Sequence, residues 1–569
     1  MKQHIIFKSF HSKFLLILLI LSTHIAAQDV VSNFGSNSGD TKISGLVSDS
    51  DNNIILAGSF TSEELEMAEG QTILNKGITD VFLAKYDPSG VLIWTQSFGG
   101  VMEDLVSGIC TDDSGNIYIT GNFRSNTLFI DGSEVKTSWP DNAYAAKFDG
   151  EGNLVWFKHS EKITNYIWAG GITCNPGNKI IITGYTTGNV MSFDEVNLSS
   201  ESNGYKGYFC RFDSSGSVLS AGFISEESEN QFRISDVAAD RFGDLYFGGT
   251  KFIKLKEPDP ITWSDYREAL YLKKTAPNGD LIWEHEDTAF YQVQKILCSN
   301  DSLFVLGNRE EYRIIFNGGT IDTTSRISYS LFDLGGNTLW KKSITGALAY
   351  DACEGNSNFF AAGGQLKDKI ELSSFTLHRN SDSSSICPIY QDIFYLEISK
   401  SGELLNVGNF SGSLEDIPSS IWYTNEGDLL YSGMYESYEM EILGKRIVNT
   451  SELSSFQHVS GIYYDRRIFS FYARDEQYGS PNALKPAIAD RLQLYPNPSE
   501  GTFWLNTGKT AGEHSLRIYD IQGRLQYQER IQSWGAPHPV NLLSLPPGLY
   551  MVTLTSKEGK LSKSMVVIE

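Results

Sequence analysis

The feature that most constrains what this chain can fold into is a unit of about 60 residues that recurs along most of its length. It is plainest between Asp104 and Lys158. There Asp104-Leu-Val-Ser-Gly108-Ile-Cys leads to Gly115-Asn-Ile-Tyr-Ile-Thr-Gly121-Asn-Phe123 and, after a variable insert, to Ala143-Tyr-Ala-Ala-Lys-Phe148-Asp149-Gly-Glu-Gly152-Asn-Leu-Val-Trp156. The apolar runs have the two-residue period of strands, and Asp, Asn, Ser and Gly separate them. Asp149 is expected to close an Asx turn and Gly152 to take the positive φ of the bend, placing Phe148 and Trp156 on adjacent antiparallel strands. Echoes run from Phe82 to Trp94, Tyr208 to Gly216, Tyr271 to Trp283, Tyr329 to Trp340 and, more weakly, Phe394 to Leu405; the third copy has Ser220 where Trp belongs. Several strands per repeat and no helical period predict an all-β chain dominated by a β-propeller, whose blades bury their faces against one another.

Opening strands are expected near Ile43, Leu105, Gly170, Ser235, Val293, Ala349 and Ile417, which predicts seven blades over residues 28–479. Val30-Val-Ser-Asn-Phe34-Gly35 repeats the order of Thr95-Gln-Ser-Phe98-Gly99, so the mature N-terminus reads as a lone fourth strand that closes the ring at the last blade. Two segments, 456–464 and 468–473, compete for the third strand of that blade. If the second takes the place, the N-terminal strand supplies the missing fourth; if the first does, that strand is redundant. The Phe-x-Ala-Lys-Tyr/Phe-Asp-x-x-Gly-x-x-x-Trp units resemble the bacterial seven-bladed propeller repeats of SBBP type, over about residues 30–479. That resemblance implies the fold and leaves function open.

With Lys+Arg 46 and Asp+Glu 69 the net charge is −23, a field that repels phosphate backbones, so nucleic acid is not an expected partner. Lys2, Lys8 and Lys13 precede an apolar run from Phe14, and small residues end at Ala27. This pattern reads as a secretory signal, residues 1–27, cut after Ala27, and no segment of the mature chain reads as a membrane span. Six cysteines in an exported chain raise the question of bridges. Cys110, Cys174 and Cys298 occupy the same point of their repeats and are expected in different blades, too far apart to bond. Cys353 and Cys387 fall within one repeat and form the expected disulfide.

Residues 480–490 contain two prolines and no strand pattern, and read as a linker. Beyond them, residues 491–569 read as a small β-sandwich. Its strands carry Tyr495-Pro496-Asn497-Pro498 with Gly501, then Tyr519-Asp520-Ile-Gln-Gly523-Arg524, Leu545-Pro-Pro-Gly548-Leu-Tyr550, and a terminal run from Lys563. This ordered set resembles the type A C-terminal sorting domain of the type IX secretion system. The resemblance implies that the tail is read by that machinery, that a sortase removes it, and that the cargo is secreted or held on the outer surface of a Gram-negative bacterium.

Local motifs for chemistry are sparse. Asp49-Ser-Asp51-Asn-Asn53 has the alternating oxygens of a calcium loop but lacks its glycine, and Asp112-Asp113-Ser-Gly115 at the equivalent point favours a hairpin turn for both. His159, His285, His378 and His458 form no metal-binding spacing, and no nucleophile elbow or carboxylate pair is present. Tyr435, Tyr438, Tyr463 and Tyr464 are candidates for a sugar-stacking platform or for blade filling. The expected function is therefore binding of a glycan or protein through propeller loops, without cofactor or catalytic residues. The alternative is a polysaccharide hydrolase or lyase whose groups come one from each blade. An aromatic-lined mouth favours the first, and convergent buried carboxylates favour the second.

Overall fold

The computed structural model describes residues 30–34, 40–475 and 493–568, apart from a number of joins between strands, of which 225–229, 257–265, 378–391 and 496–501 are among the longer. The signal and its Ala27 cleavage point, the linker, and Pro496, Asn497, Pro498, Gly501 and Gly523 lie outside the described residues. The chain divides into two compact units, 1–479 and 480–569.

The first unit is a β-propeller. Blade 1 shows the pattern: Thr41–Ser48, Ile54–Phe60, Asp80–Tyr86 and Leu92–Phe98 form one antiparallel four-stranded sheet, from innermost to outermost in chain order. The two middle strands are buried at every residue, because blades cover them on both faces. The outermost strand of most blades is only partly covered, as an outer rim must be.

Blades 2 to 6 repeat this arrangement, with innermost strands Asp104–Thr111, Ile167–Asn175, Gln231–Ala239, Gln292–Cys298 and Ala347–Gly355. The expectation of seven blades is corrected here. Six blades are each built from one stretch of chain. The remaining sheet is a composite, in which Asp416–Tyr423, Leu429–Tyr435 and Phe469–Asp475 are joined by the N-terminal Val30–Phe34. Of the two competing segments the later one takes the third place, and Val30 lies opposite Arg474 in its ladder. The earlier segment instead forms a separate two-stranded hairpin, Ser454–His458 with Gly461–Asp465.

The repeated Asp-x-x-Gly and Trp have a joint purpose that extends beyond their own hairpin. Trp94 Nε1 donates to the Gly150 carbonyl in the turn of the next blade at 3.1 Å, and Lys85, opposite Trp94 in the ladder, donates to the same oxygen at 3.0 Å. Lys147 with Trp156 grips Ser214, and Lys274 with Trp283 grips Leu334, in the same way. Trp340 alone reaches the Lys400 carbonyl. The turn glycine is needed twice over. At Gly152 the φ is +86° and an added Cβ would lie 2.9 Å from the Trp94 ring, so a side chain would be strained and would also break the interblade contact. Where Ser220 replaces Trp, between blades 3 and 4, Arg211 across the ladder from it donates to Pro277 instead, and no atom comes within 4 Å of a Cβ built on the turn glycine, Gly279.

Insert hairpins cover some outer edges that would otherwise stay unpaired. Val190–Phe193 with Val196–Ser199 adds to the outer strand of blade 2 through Ser160 and Glu161, and Glu439–Ile442 with Lys445–Val448 adds to blade 6 through Ser411 and Gly412.

The second unit has a three-stranded sheet, Gln493–Tyr495, Thr502–Asn506 and His538–Asn541, and a four-stranded sheet, Leu525–Ser533, Gly512–Asp520, Gly548–Ser556 and Leu561–Ile568. Leu505 and Val540 from the first sheet share one buried cluster with Leu516, Ile518, Ile531, Tyr550 and Val552 from the second.

Candidate functional site

The innermost strands run in one direction around the axis, so the propeller has two unlike faces. At the face where these strands end, the chain makes tight Asx turns. Asp49 Oδ1 accepts the amides of Asp51 and Asn53, and Asp112, Asp149 and Asp213 do the same in their own turns. Asp49 Oδ2 also pairs with Lys85 at 2.9 Å, and Asn52 has a φ of 60°. Of the oxygens considered for calcium, those of Asp49 are thus engaged in a hairpin and an ion pair. Among the described residues no group of three or more His, Cys, Asp or Glu side chains is arranged to hold a metal. At the opposite face, where the innermost strands begin, lie the insert hairpins and the longer connections. Length can vary there without breaking a clamp, which makes it the face on which a site can be built.

The axis carries a cavity of about 1100 Å³ lined by the innermost strands of all the blades and the closing sheet. Equivalent positions of neighbouring strands meet on its wall. Asp236 of blade 4 is buried and accepts the Ile296 amide of blade 5 at 2.9 Å, while Asp351 of blade 6 accepts the Ile421 amide and the Ser420 hydroxyl. Lys295 stands between the two carboxylates, 3.7 Å from Asp236 and 3.9 Å from Asp351. Burial raises the Asp236 acid range, against the pull of Lys295; burial also works against the Lys295 charge, but the two carboxylates outweigh it and hold the amine above its usual range. These charges close on one another and on backbone amides, so they bind the wall together.

Convergence at the axis also overturns one expectation about sulfur. Cys110 and Cys174 are in adjacent blades, as expected, yet their Cα atoms are 6.4 Å apart and they form a disulfide. Innermost strands of neighbouring blades are close although their outer strands are not, and that geometry is invisible in the sequence spacing. Cys353 is a free, buried thiol; its expected partner, Cys387, lies outside the described residues. Burial also pushes the Cys298 thiol up to about 12.

At the strand-start mouth, blades 3 and 4 bring together a cluster that the sequence reading did not single out. Trp168 and Tyr185 are paired across the first two strands of blade 3, and Trp168, 37% exposed, stacks on Tyr166 with ring centres 6.4 Å apart. Arg233 enters from the innermost strand of blade 4, where alternation with buried Phe232 and Ile234 turns it toward the axis. Its guanidinium lies 3.9 Å from the centre of the Tyr205 ring, 5.0 Å from Phe252 and 5.5 Å from Tyr185. Among the described residues Arg233 Nε donates to no acceptor, and no carboxylate pairs with the guanidinium. Glu268, beside Phe252 in the ladder, bonds Gln292 of blade 5; burial raises its acid range in spite of the Arg233 charge. Only the alternating burial of Gln231–Ala239 could have pointed to this arginine. Tyr435, Tyr463 and Tyr464 lie on strands, but their own side chains are not described, and Tyr438 falls outside the described residues.

In the second unit the ladders align pieces of the tail motifs. Tyr495 faces Trp504, Asp520 faces Tyr550, and Gly548 faces Ile568. Tyr519 pairs with Leu525 and Met551, Lys563 pairs with Thr553, and Arg524 is exposed beside the bend. The Tyr550 hydroxyl donates to the Pro546 carbonyl at 2.8 Å, which fixes the Leu-Pro-x-Gly-x-Tyr corner. Residues 493–568 match the family described as the secretion system C-terminal sorting domain. The tail is a type IX sorting domain. This sorting domain marks the chain for export to the cell surface or the medium, and it implies the type IX machinery as a partner. No described helix is long and apolar enough to cross a membrane.

The propeller has more distant likenesses. An uncharacterized WD repeat-containing protein of Acanthamoeba polyphaga mimivirus is 26% identical over 166 residues, which is 25% of this chain and 12% of that protein. Among solved structures, Drosophila Semaphorin 2a aligns over 95% of this chain and 97% of its own at 7% identity, with a TM-score of 0.39. Sqt1 from Chaetomium thermophilum aligns over 59% and 80% at 11% identity, with a TM-score of 0.28. At these scores neither structure bears on function.

Proposed function

We propose that this protein is an exported, non-enzymatic β-propeller that binds a glycan or protein ligand at the strand-start mouth. The signal of residues 1–27 takes the chain across the inner membrane, and the sorting domain takes it across the outer one. A sortase then removes the tail through the linker at 480–490. The observation that carries the binding reading is the mouth of blades 3 and 4, where an exposed indole and a ring-stacked guanidinium border the axial cavity. Ring faces and a few fixed polar groups around a concavity suit recognition. Hydrolysis of a glycoside would ask for two facing carboxyl groups. Among its described residues the mouth has Glu268 alone, since Asp236 and Asp351 are engaged in the wall.

A glycan-array screen of the exported protein tests this reading, with Trp168→Ala beside it. Retention of a glycan that Trp168→Ala loses at least tenfold, without release of reducing ends above a heat-killed control, is the expected result. Reducing-end release that continues with turnover would overturn it in favour of an enzyme.

A further inference from the structure

The chemistry of the same mouth narrows its ligand, on the footing that the mouth is the binding site proposed above. A guanidinium offers two surfaces: its faces stack on rings, and its edge donates hydrogen bonds in a planar fork. At Arg233 the Tyr205, Phe252 and Tyr185 rings are positioned about the group, and rings supply no acceptor for the edge. Glu268, an acid within reach of its charge, is directed to Gln292. A shielded donor with no acceptor is costly in a folded protein, and among the described residues no carboxylate forms an ion pair with the guanidinium. Beside it Trp168 and Tyr185 present aromatic surface at the wall of the cavity. The overall charge of −23 works against an anion at long range, but ionic strength limits that field to about 8 Å.

We propose that the mouth between blades 3 and 4 binds an acidic saccharide, with Arg233 taking the carboxylate and the Trp168 and Tyr185 rings taking the apolar face of the sugar. Glu268 and Gln292 then lie on the blade 5 side, where they can accept and donate to hydroxyls. The site falls in the one seam among the first five where the Trp clamp is replaced by Arg211, and there the Tyr205 and Phe252 rings meet across blades 3 and 4.

The experiment is calorimetric titration of the exported protein with trigalacturonate and with its methyl ester, which has the same rings and no charge. Wild-type protein is expected to bind the acid at least tenfold more tightly than the ester. Arg233→Gln should remove that ratio by weakening the acid far more than the ester, and Trp168→Ala should weaken both. Equal affinity for acid and ester in the wild type overturns this inference and leaves the binding reading standing. Triglutamate bound as tightly as trigalacturonate also overturns it, since the site would then select charge without the sugar. Failure of both saccharides to bind, or binding that Trp168→Ala leaves unchanged, overturns the assignment of the mouth itself. The acid-to-ester comparison needs no variant, so misfolding of a mutant cannot decide the outcome.

Discussion

At the scale of single residues, Asp80 shows how a buried group ties this fold to pH. It opens the third strand of blade 1, fully buried; Oδ2 accepts the Lys76 amide at 2.9 Å, and Oδ1 has no hydrogen-bond partner among the described residues. Burial, with a smaller push from the Asp104 carboxylate, raises its acid range to about 6. Because the folded value lies above the unfolded one, the native state holds the extra proton between about pH 4 and 6. Stability from this group is present below the lower value and is lost as pH rises through the upper one. Asp80→Asn should therefore flatten the fall in melting temperature between pH 5 and pH 7.5, and raise stability at pH 7.5 by up to about 2 kcal/mol. An unchanged pH profile in the variant would show that Asp80 is ionised in the native state. The acid was legible in the sequence as one more strand residue. Its close confinement was not, because that depends on Gly99, where an added Cβ would lie 2.2 Å from the carboxylate. The Arg233 cluster was missed for the same reason: its members lie between positions 166 and 268, and only the turn of the ring from blade 3 to blade 4 brings them together.

At the scale of elements, the reading of strands and turns held well because it rested on short-range rules. Each expected opening residue, from Ile43 to Ile417, falls in an innermost strand, Gly170 and Ser235 at the bulge within theirs. What the sequence did not disclose was the relation between neighbouring elements. Trp156 belongs by sequence to its own hairpin, but its Nε1 binds a carbonyl 58 positions away, and Cys110 reaches Cys174 beside the axis. The choice left open at the last blade was decided by the sheet edge. Phe469–Asp475 lies between Leu429–Tyr435 and the N-terminal strand, leaving that strand as the outer edge. Removing residues 28–40 should expose the ladder of Phe469–Asp475 and promote association. Light scattering and thermal melting of the shortened protein test this; a monomer with the wild-type melting temperature would mean that the N-terminal strand does not close the ring.

At the scale of the whole molecule, the two units have separate cores, and the second is held by its own cluster from Leu505 to Val552. Removal of residues 491–569 should leave the melting temperature of the propeller within about 2 °C of the full chain, a change of at most about 2 kcal/mol for a domain this large, while abolishing export. Fractionation of a native-type host producing either form checks both halves. Shortened protein on the surface or in the medium at full-length levels would overturn the role of the tail. The sorting domain was the most legible part of the chain, since its motifs are contiguous in sequence; the ligand site was the least, since it is assembled from two blades. The composite sheet has a further consequence, which concerns time. Val30 meets Arg474, so the first strand of the propeller to leave the ribosome must wait for almost the last before it has a neighbour. Joining ends so far apart is slow compared with forming any one hairpin. The ring is therefore finished only after nearly all of the propeller has been synthesised, and the sorting domain follows directly behind the strand that finishes it.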